Sequence, residues 1–232
     1  MSRFAVNVGA GDGSPLPGTC HDPANQYFWA GARGVAFEAG DRDAEHLRST
    51  LMAHNPDVRL SRQALTDANM RKALEEHSVP VDLDLLKIDI DSNDCTVLFA
   101  ALHHVKPKVL HVEYNPEMPP PFGYWLRQCR AGTAFGQMAS LLMSCSLSTL
   151  SVYLRPMGYT LLYVDLADAV YVRAEYIHHF GNIPRDDATI YQLGWTGHPG
   201  YRTFAAMHRI DGIDVPWFDG AVAFEDRRDA LL

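Results

Sequence analysis

The sequence predicts an α/β fold: a Rossmann-like, doubly wound sheet, mostly parallel, that ends in an antiparallel hairpin. Three observations predict it. An apolar strand from Phe4 to Val8 empties into a loop of alternating glycines, Gly9, Gly11 and Gly13, the layout of a ligand-binding corner in an open α/β sheet. Residues 83–91 and 108–114 are runs rich in Leu, Ile and Val, the pattern of parallel strands buried on both faces. Finally, two strand-like segments at 159–165 and 169–175 are joined by Leu166, Ala167 and Asp168 alone. That link is too short for a crossover helix and makes a hairpin.

The elements follow in order. After the glycine loop, Pro15, Pro17 and Gly18 make a turn-rich stretch. Asp22 caps a helix with Pro23 in its first position, which ends near Gly31 or Gly34. A second buried strand, 34–39, finishes on Glu38 and Ala39. Residues 41–53 are helical, with Ala44, Leu47 and Leu51 on one face. A short third strand, 58–60, precedes a helix capped by Thr66 or Asp67 that runs to about His77. The fourth strand, 83–91, is followed by a helix over 94–103, and the fifth strand by an irregular loop, 115–135, containing four prolines. Residues 136–157 read as a helix with Met138, Leu141, Leu142, Cys145, Val152 and Tyr153 inward, before the hairpin. The expected division is 1–180 as the main domain and 181–232 as an appendage packed on it.

The chain has 232 residues, of which 47% are hydrophobic, enough for one domain with an appendage. A formal net charge of −8 without a basic cluster argues against nucleic-acid or anionic-membrane partners. Four widely spaced cysteines (Cys20, Cys95, Cys129 and Cys145) form no CxxC pair and read as reduced thiols of a cytoplasmic protein. Neither a membrane-spanning run nor a signal sequence is evident. The first strand begins almost at Met1, so the sheet opens the chain.

A terminal hairpin on a parallel sheet is the layout of class I S-adenosylmethionine (SAM) methyltransferases, whereas an NAD-binding domain keeps winding in parallel. Val8-Gly9-Ala10-Gly11-Asp12-Gly13, Asp22-Pro23 and the strand ending in Glu38 resemble the opening of FkbM-type SAM methyltransferases. Leu85 through Asp94 is similar to that family's strand-four motif, and Pro107 through Asn115 to its strand-five motif. Ala139-Ser140-Leu141, Gly158-Tyr159 and Ala169 through Arg173 are similar to its closing helix and hairpin. The resemblance covers residues 4–175. Two features depart from it: Ser92 stands where the family has glycine, and the family's substrate-selecting segment before the first strand is absent.

The resemblance implies SAM as cofactor, with Asn7, Gly9, Gly11, Asp12 and Gly13 around its methionine part. It also implies Ala64 and Leu65 flanking adenine and Asp89 on the ammonium. Glu38, with Ala39 beside it, lies about 25 residues beyond Gly13, near the spacing at which a carboxylate takes ribose hydroxyls. Asp89 and Asp91 share a parity, so both point to one face at the end of an apolar strand. Asp91 and Glu113 are candidate catalytic groups. Together with Asn115 they offer oxygen ligands for Mg²⁺. His111, inside strand five, is a candidate base or a core histidine. Phe122, Tyr124 and Trp125, on the proline-stiffened loop, and Asn115 are candidate walls for a small-molecule acceptor. The expected reaction is O-methylation of a small molecule or glycoside. The alternatives are a non-catalytic SAM-binding scaffold and, behind it, an NAD-dependent oxidoreductase. Oligomeric state is not readable.

Overall fold

The computed structural model describes residues 3–14, 22–126 and 143–201. Seven strands form one sheet: β1 (Phe4–Val8), β2 (Arg33–Phe37), β3 (Val58–Ser61), β4 (Leu85–Ile88), β5 (Val109–Glu113), β6 (Tyr159–Asp165) and β7 (Asp168–Arg173). Their order is β3-β2-β1-β4-β5-β7-β6. The first five run parallel, and β7 lies antiparallel between β5 and β6. The chain therefore has the class I methyltransferase architecture, with the topological switch between β1 and β4.

The helices are α1 (Pro23–Trp29), α2 (Asp41–Leu47), α3 (Asp67–Glu76), α4 (Asp94–Leu102), α5 (Leu147–Leu154) and α6 (Asp187–Tyr191). Because side chains alternate along each strand, the sheet builds two apolar layers. Ala5 and Ala36 pack with Phe28 of α1 and Leu47 of α2 on one face. Val6, Val35, Leu86, Leu110 and Tyr171 pack with Met70, Leu98 and Leu150 of α3, α4 and α5 on the other. Asp22 caps α1 by accepting from the Ala24 and Asn25 amides at 2.8 and 2.9 Å.

Several expectations change. The helix expected over 136–157 is helical in its described part only from Leu147, because Met143–Ser146 is held in an irregular turn, with Ser144 at φ 55°. Cys145 bridges Trp125, and the Ser146 side chain caps α5. Val152 and Tyr153, expected inward, are 68% and 44% exposed. Met138, Leu141 and Leu142 lie outside the described residues, as do Cys20 and Cys129. The cysteines are not all reduced thiols: Cys95 and Cys145 are joined in a disulfide, so their spacing carries no argument for a cytoplasmic compartment. Strand four ends at Ile88, earlier than expected, because the Asp94 carboxylate takes the Ile90 and Ser92 amides and turns the chain into α4. The hairpin turn is Leu166-Ala167, with Leu166 at φ 53°.

After β7 the chain makes a 3-10 helix, Ala174–Phe180, and then α6, which continues as a π-helical turn, Gln192–Thr196. Trp195 is 2% exposed, and the Leu166 amide donates to the Gly194 carbonyl at 2.9 Å. The Tyr191 hydroxyl donates to the Pro116 carbonyl at 2.6 Å, tying this segment to the loop beyond β5. Among the described residues, no helix is long and apolar enough to cross a membrane.

Candidate functional site

A cleft of about 620 Å³ opens at the carboxyl ends of β1, β2 and β4, at the switch point where open α/β sheets bind ligands and within the size range of small-molecule sites. Gly9, Gly11, Asp12, Glu38, Ala39, Ala64, Leu65, Asp89 and Asp91 all border it.

The glycine loop is shaped by its own packing. Gly9, Gly11 and Gly13 have φ values of 76°, 57° and 74°, where side-chain-bearing residues are strained. A Cβ on Gly9 would lie 1.7 Å from the Asp89 carbonyl oxygen, so glycine lets the β1 loop touch the β4 loop. The Gly9 and Ala10 amides both donate to the Phe37 carbonyl, at 3.0 and 3.1 Å. The Gly11 amide donates to Glu38 Oε2 at 2.8 Å, and the Gly40 amide to Glu38 Oε1 at 2.7 Å. Asp12 accepts from the Ser14 amide at 2.8 Å, a local turn.

Two expected cofactor residues sit behind the wall. Asn7 is fully buried, and its Nδ2 donates to Asp22 Oδ2 and Asn25 Oδ1 at 2.9 and 3.0 Å. Gly13 packs on Leu47 and Leu51 and accepts from Trp29 Nε1. Neither borders the cleft, because the strand parity that buries Val6 and Val8 on one face turns Asn7 under α1, and the turn at Gly13 faces α2.

Sequence reasoning missed the group at the centre. Lys87 lies within β4 with 3% of its side chain exposed. Its Nζ donates to the Gly9 carbonyl at 2.7 Å and lies 3.1 Å from Asp22 Oδ2 and 3.0 Å from Asp89 Oδ2. Burial alone would lower its pKa, but the two carboxylates outweigh burial and raise it. The signal was present: a lysine inside an apolar strand must find buried oxygen partners. Asp22, read only as a helix cap, borders the cleft as well.

A second cluster lies just beyond, at the ends of β4, β5 and β7. Asp89, Asp91 and Glu113 each bring a carboxylate oxygen within 4.8 Å of the others. Glu113, at the end of β5, is 8% exposed, and its Oε2 has no hydrogen-bond partner. Burial, then the neighbouring carboxylates, push its carboxyl well above the usual range. Asp168 stands opposite it across the β5–β7 ladder, and burial pushes that carboxyl up to about 8. Asp91 takes a left-handed φ of 55° one residue before Ser92.

Asn115 braces the loop beyond β5. It is 1% exposed, donates to the Met143 carbonyl at 3.2 Å and accepts from the Glu117 amide at 3.0 Å, clipping the post-β5 loop together. Asp89 is the third carboxylate of the cluster, beside Asp91 and Glu113. His111 is 8% exposed, in register with Lys87, with Nδ1 3.7 Å from Asp168. Burial and the Lys87 charge lower its pKa to about 4, which makes it a weak base. Trp125 packs against Phe99 and Tyr153 and donates to Thr96 Oγ1 at 3.0 Å. Phe122 and Tyr124 are half-buried, and none of the three aromatics borders the cleft.

No protein-family model matches the chain, and no curated protein matches it either. Among solved structures it is similar to a SAM-dependent methyltransferase from Thiobacillus denitrificans in complex with S-adenosyl-L-homocysteine (SAH). That match has 10% identity and a TM-score of 0.42, over 99% of this chain and 79% of that one. A SAM-dependent methyltransferase from Geobacter sulfurreducens, also with SAH, is similar at 12% identity and TM-score 0.42, over 89% and 75%. The bifunctional kinase-methyltransferase WbdD matches at 12% identity and TM-score 0.33 over 51% of this chain, which spans 25% of that protein's length.

Proposed function

We propose that the chain is a SAM-dependent methyltransferase acting on a hydroxyl oxygen of a small molecule or glycoside, with its resemblance to FkbM-type enzymes as the finer assignment. The carrying observation is the electrostatics of the cleft. Six carboxylates border it, from Asp12, Asp22, Glu38, Asp43, Asp89 and Asp91. The one bordering cation among the described residues, Lys87, is already shared between Asp22 and Asp89. Such a cleft suits a positively charged sulfonium donor. It is a poor host for a dinucleotide pyrophosphate, which needs free loop amides, and here the Gly9, Ala10 and Gly11 amides are already bonded.

In this reading Glu38 holds ribose hydroxyls, the glycine loop and Asp89 hold the methionine end, and Ala64 and Leu65 flank the adenine. SAM supplies a methyl group on sulfur that leaves by in-line displacement. The protein's part is to align the acceptor oxygen with that methyl and to take the hydroxyl proton onto a carboxylate of the β4–β5 crevice. Asp91 and Glu113, whose carboxylate oxygens gather there, are the groups placed to receive it. The Asp89, Asp91 and Glu113 oxygens also suit a hard divalent cation such as Mg²⁺. Loss of turnover with chelator and its return with Mg²⁺ would assign that role.

Calorimetric titration tests the cofactor: SAM and SAH should bind and NADH should not. NADH binding without SAM binding would overturn the reading. Methyl transfer to a panel of hydroxylated acceptors then separates an enzyme from a SAM-binding scaffold.

A further inference from the structure

We propose that Ser144 is a positioning residue. It ties the turn that carries Asp91 to the end of β5 that carries Glu113, and so sets the spacing of the two groups placed to take the acceptor's proton. This rests on the methyl-transfer reading and deepens it.

Strand pairing does not set that spacing. The β4–β5 ladder ends at Ile88 and Val112, and both Asp91 and Glu113 come after it. The Asp94 carboxylate holds the Asp91 turn by the Ile90 and Ser92 amides, at 2.7 and 3.2 Å, but it holds the turn to α4 and not to β5. Even so, carboxylate oxygens of Asp91 and Glu113 lie within 4.8 Å of each other.

Ser144 spans the interval. Its amide donates to the Ser92 carbonyl at 2.5 Å, one residue beyond Asp91. Its hydroxyl donates to the carbonyl of Glu113 itself at 2.7 Å. Its carbonyl accepts from the Leu126 amide at 2.9 Å. The residue is fully buried, where hydrogen bonds are strong and hold geometry. It also stands at φ 55°, a conformation that strains a side-chain-bearing residue and that glycine takes freely. What serine brings there, and glycine lacks, is the hydroxyl that reaches Glu113. The tie is anchored as well: Cys145, the next residue, is disulfide-bonded to Cys95 of α4, and Ser144 Oγ lies 3.4 Å from Cys95 Sγ. The cofactor side is held separately, with Glu38 fixed by the Gly11 and Gly40 amides.

The test is Ser144→Gly in the full chain. The substitution removes the hydroxyl, leaves the amide to Ser92 and eases the backbone, with Ser144→Ala as the second variant should the first not fold. SAH affinity by calorimetry and the KM for SAM should stay within about twofold, while turnover on the panel of hydroxylated acceptors falls roughly tenfold or more, as misplaced groups do. Crystal structures of wild type and variant, read without any acceptor, should show the Asp91 and Glu113 oxygens parting beyond 4.8 Å in the variant alone. A wild type that takes up no SAH, or transfers no methyl group, would count against the methyl-transfer reading, and the crystal comparison would still decide the tie. An unchanged separation, full turnover in a folded variant, or equal loss of SAH affinity and turnover would overturn the proposal.

Discussion

Replacing Lys87 with methionine keeps the volume and removes the charge at the one point where three segments meet. The ammonium bonds the glycine loop at the Gly9 carbonyl, the α1 cap at Asp22 and the post-β4 turn at Asp89. Breaking a buried pair by removing one partner costs roughly 3–5 kcal/mol. Asp89 is 36% exposed and regains water, so Asp22, at 11%, carries most of the loss, and the expected deficit is about 3 kcal/mol. The sign of the pH dependence follows. The pKa of Lys87 is raised, so its contribution is complete below its unfolded value near 10.5 and is lost only above that. In the wild type this contribution is therefore constant between pH 5 and 8. Urea unfolding at pH 7 measures the deficit, and adding Asp22→Asn, which keeps the helix cap, should recover about half. A deficit below about 1 kcal/mol, or one unchanged by the second substitution, would refute the clamp.

Three further outcomes are expected. Glu38→Gln should weaken SAM by about 1–3 kcal/mol, because a charged acceptor is lost at the cleft; unchanged calorimetric affinity in a folded variant would remove Glu38 from the site. Stability should fall as pH rises from about 6.5 to 8 and level off there, since the unfolded chain has already lost the proton that Asp168, with its pKa raised to about 8, retains in the fold. Solvent screening of a side chain 31% exposed reduces the effect to roughly 1–3 kcal/mol. Asp168→Asn should make this limb shallower, with buried Glu113 and Asp94 supplying the rest, while His111, with its pKa lowered to about 4, acts in the opposite sense only below pH 6.5. Reducing the Cys95–Cys145 disulfide, which spans 50 residues of sequence, should lower stability by up to about 4 kcal/mol in the chain-entropy picture; an unchanged urea midpoint with reductant would show that the link is absent in solution.

Most of the sheet was legible because burial on both faces leaves a local signature. Runs at 85–88 and 109–112 that are apolar except for Lys87 and His111 mark parallel strands, and the short link before Asp168 leaves a hairpin as the one connection that fits. The helix before the hairpin was overextended because Met, Leu and Cys recur there at helical spacing, while what interrupts it is non-local. The Ser144 amide donates to the Ser92 carbonyl at 2.5 Å and the Ser144 hydroxyl to the Glu113 carbonyl at 2.7 Å. Those bonds fix residues 143–146 against loops far away in sequence, and periodicity cannot see them. The same tertiary contact brings Cys145 to Cys95, a pairing that spacing alone leaves open.

The site divides along the same line. Residues that end strands in register, namely Glu38 after β2 and Asp89 after β4, border the cleft because strand parity and sheet order fix where they emerge. Asn115 lies two residues past β5, where its direction depends on the turn and not on the pleat. There it serves the Met143 carbonyl and the Glu117 amide. Asp91 also lies past its strand, but its left-handed φ of 55° swings it back toward Glu113. Lys87 and Asp22 went unseen as a pair for a different reason. Each had a sufficient local explanation, one as a polar residue in a strand and the other as a helix cap. Their joint role follows only once β4 pairs with β1 and sets Lys87 beside Asn7, itself bonded to Asp22. A charge inside an apolar strand is thus the strongest pointer to the site that the sequence contains, because burial without partners is too costly to persist. The partners it demands, Asp22 and Asp89, are two of the carboxylates that border the cleft.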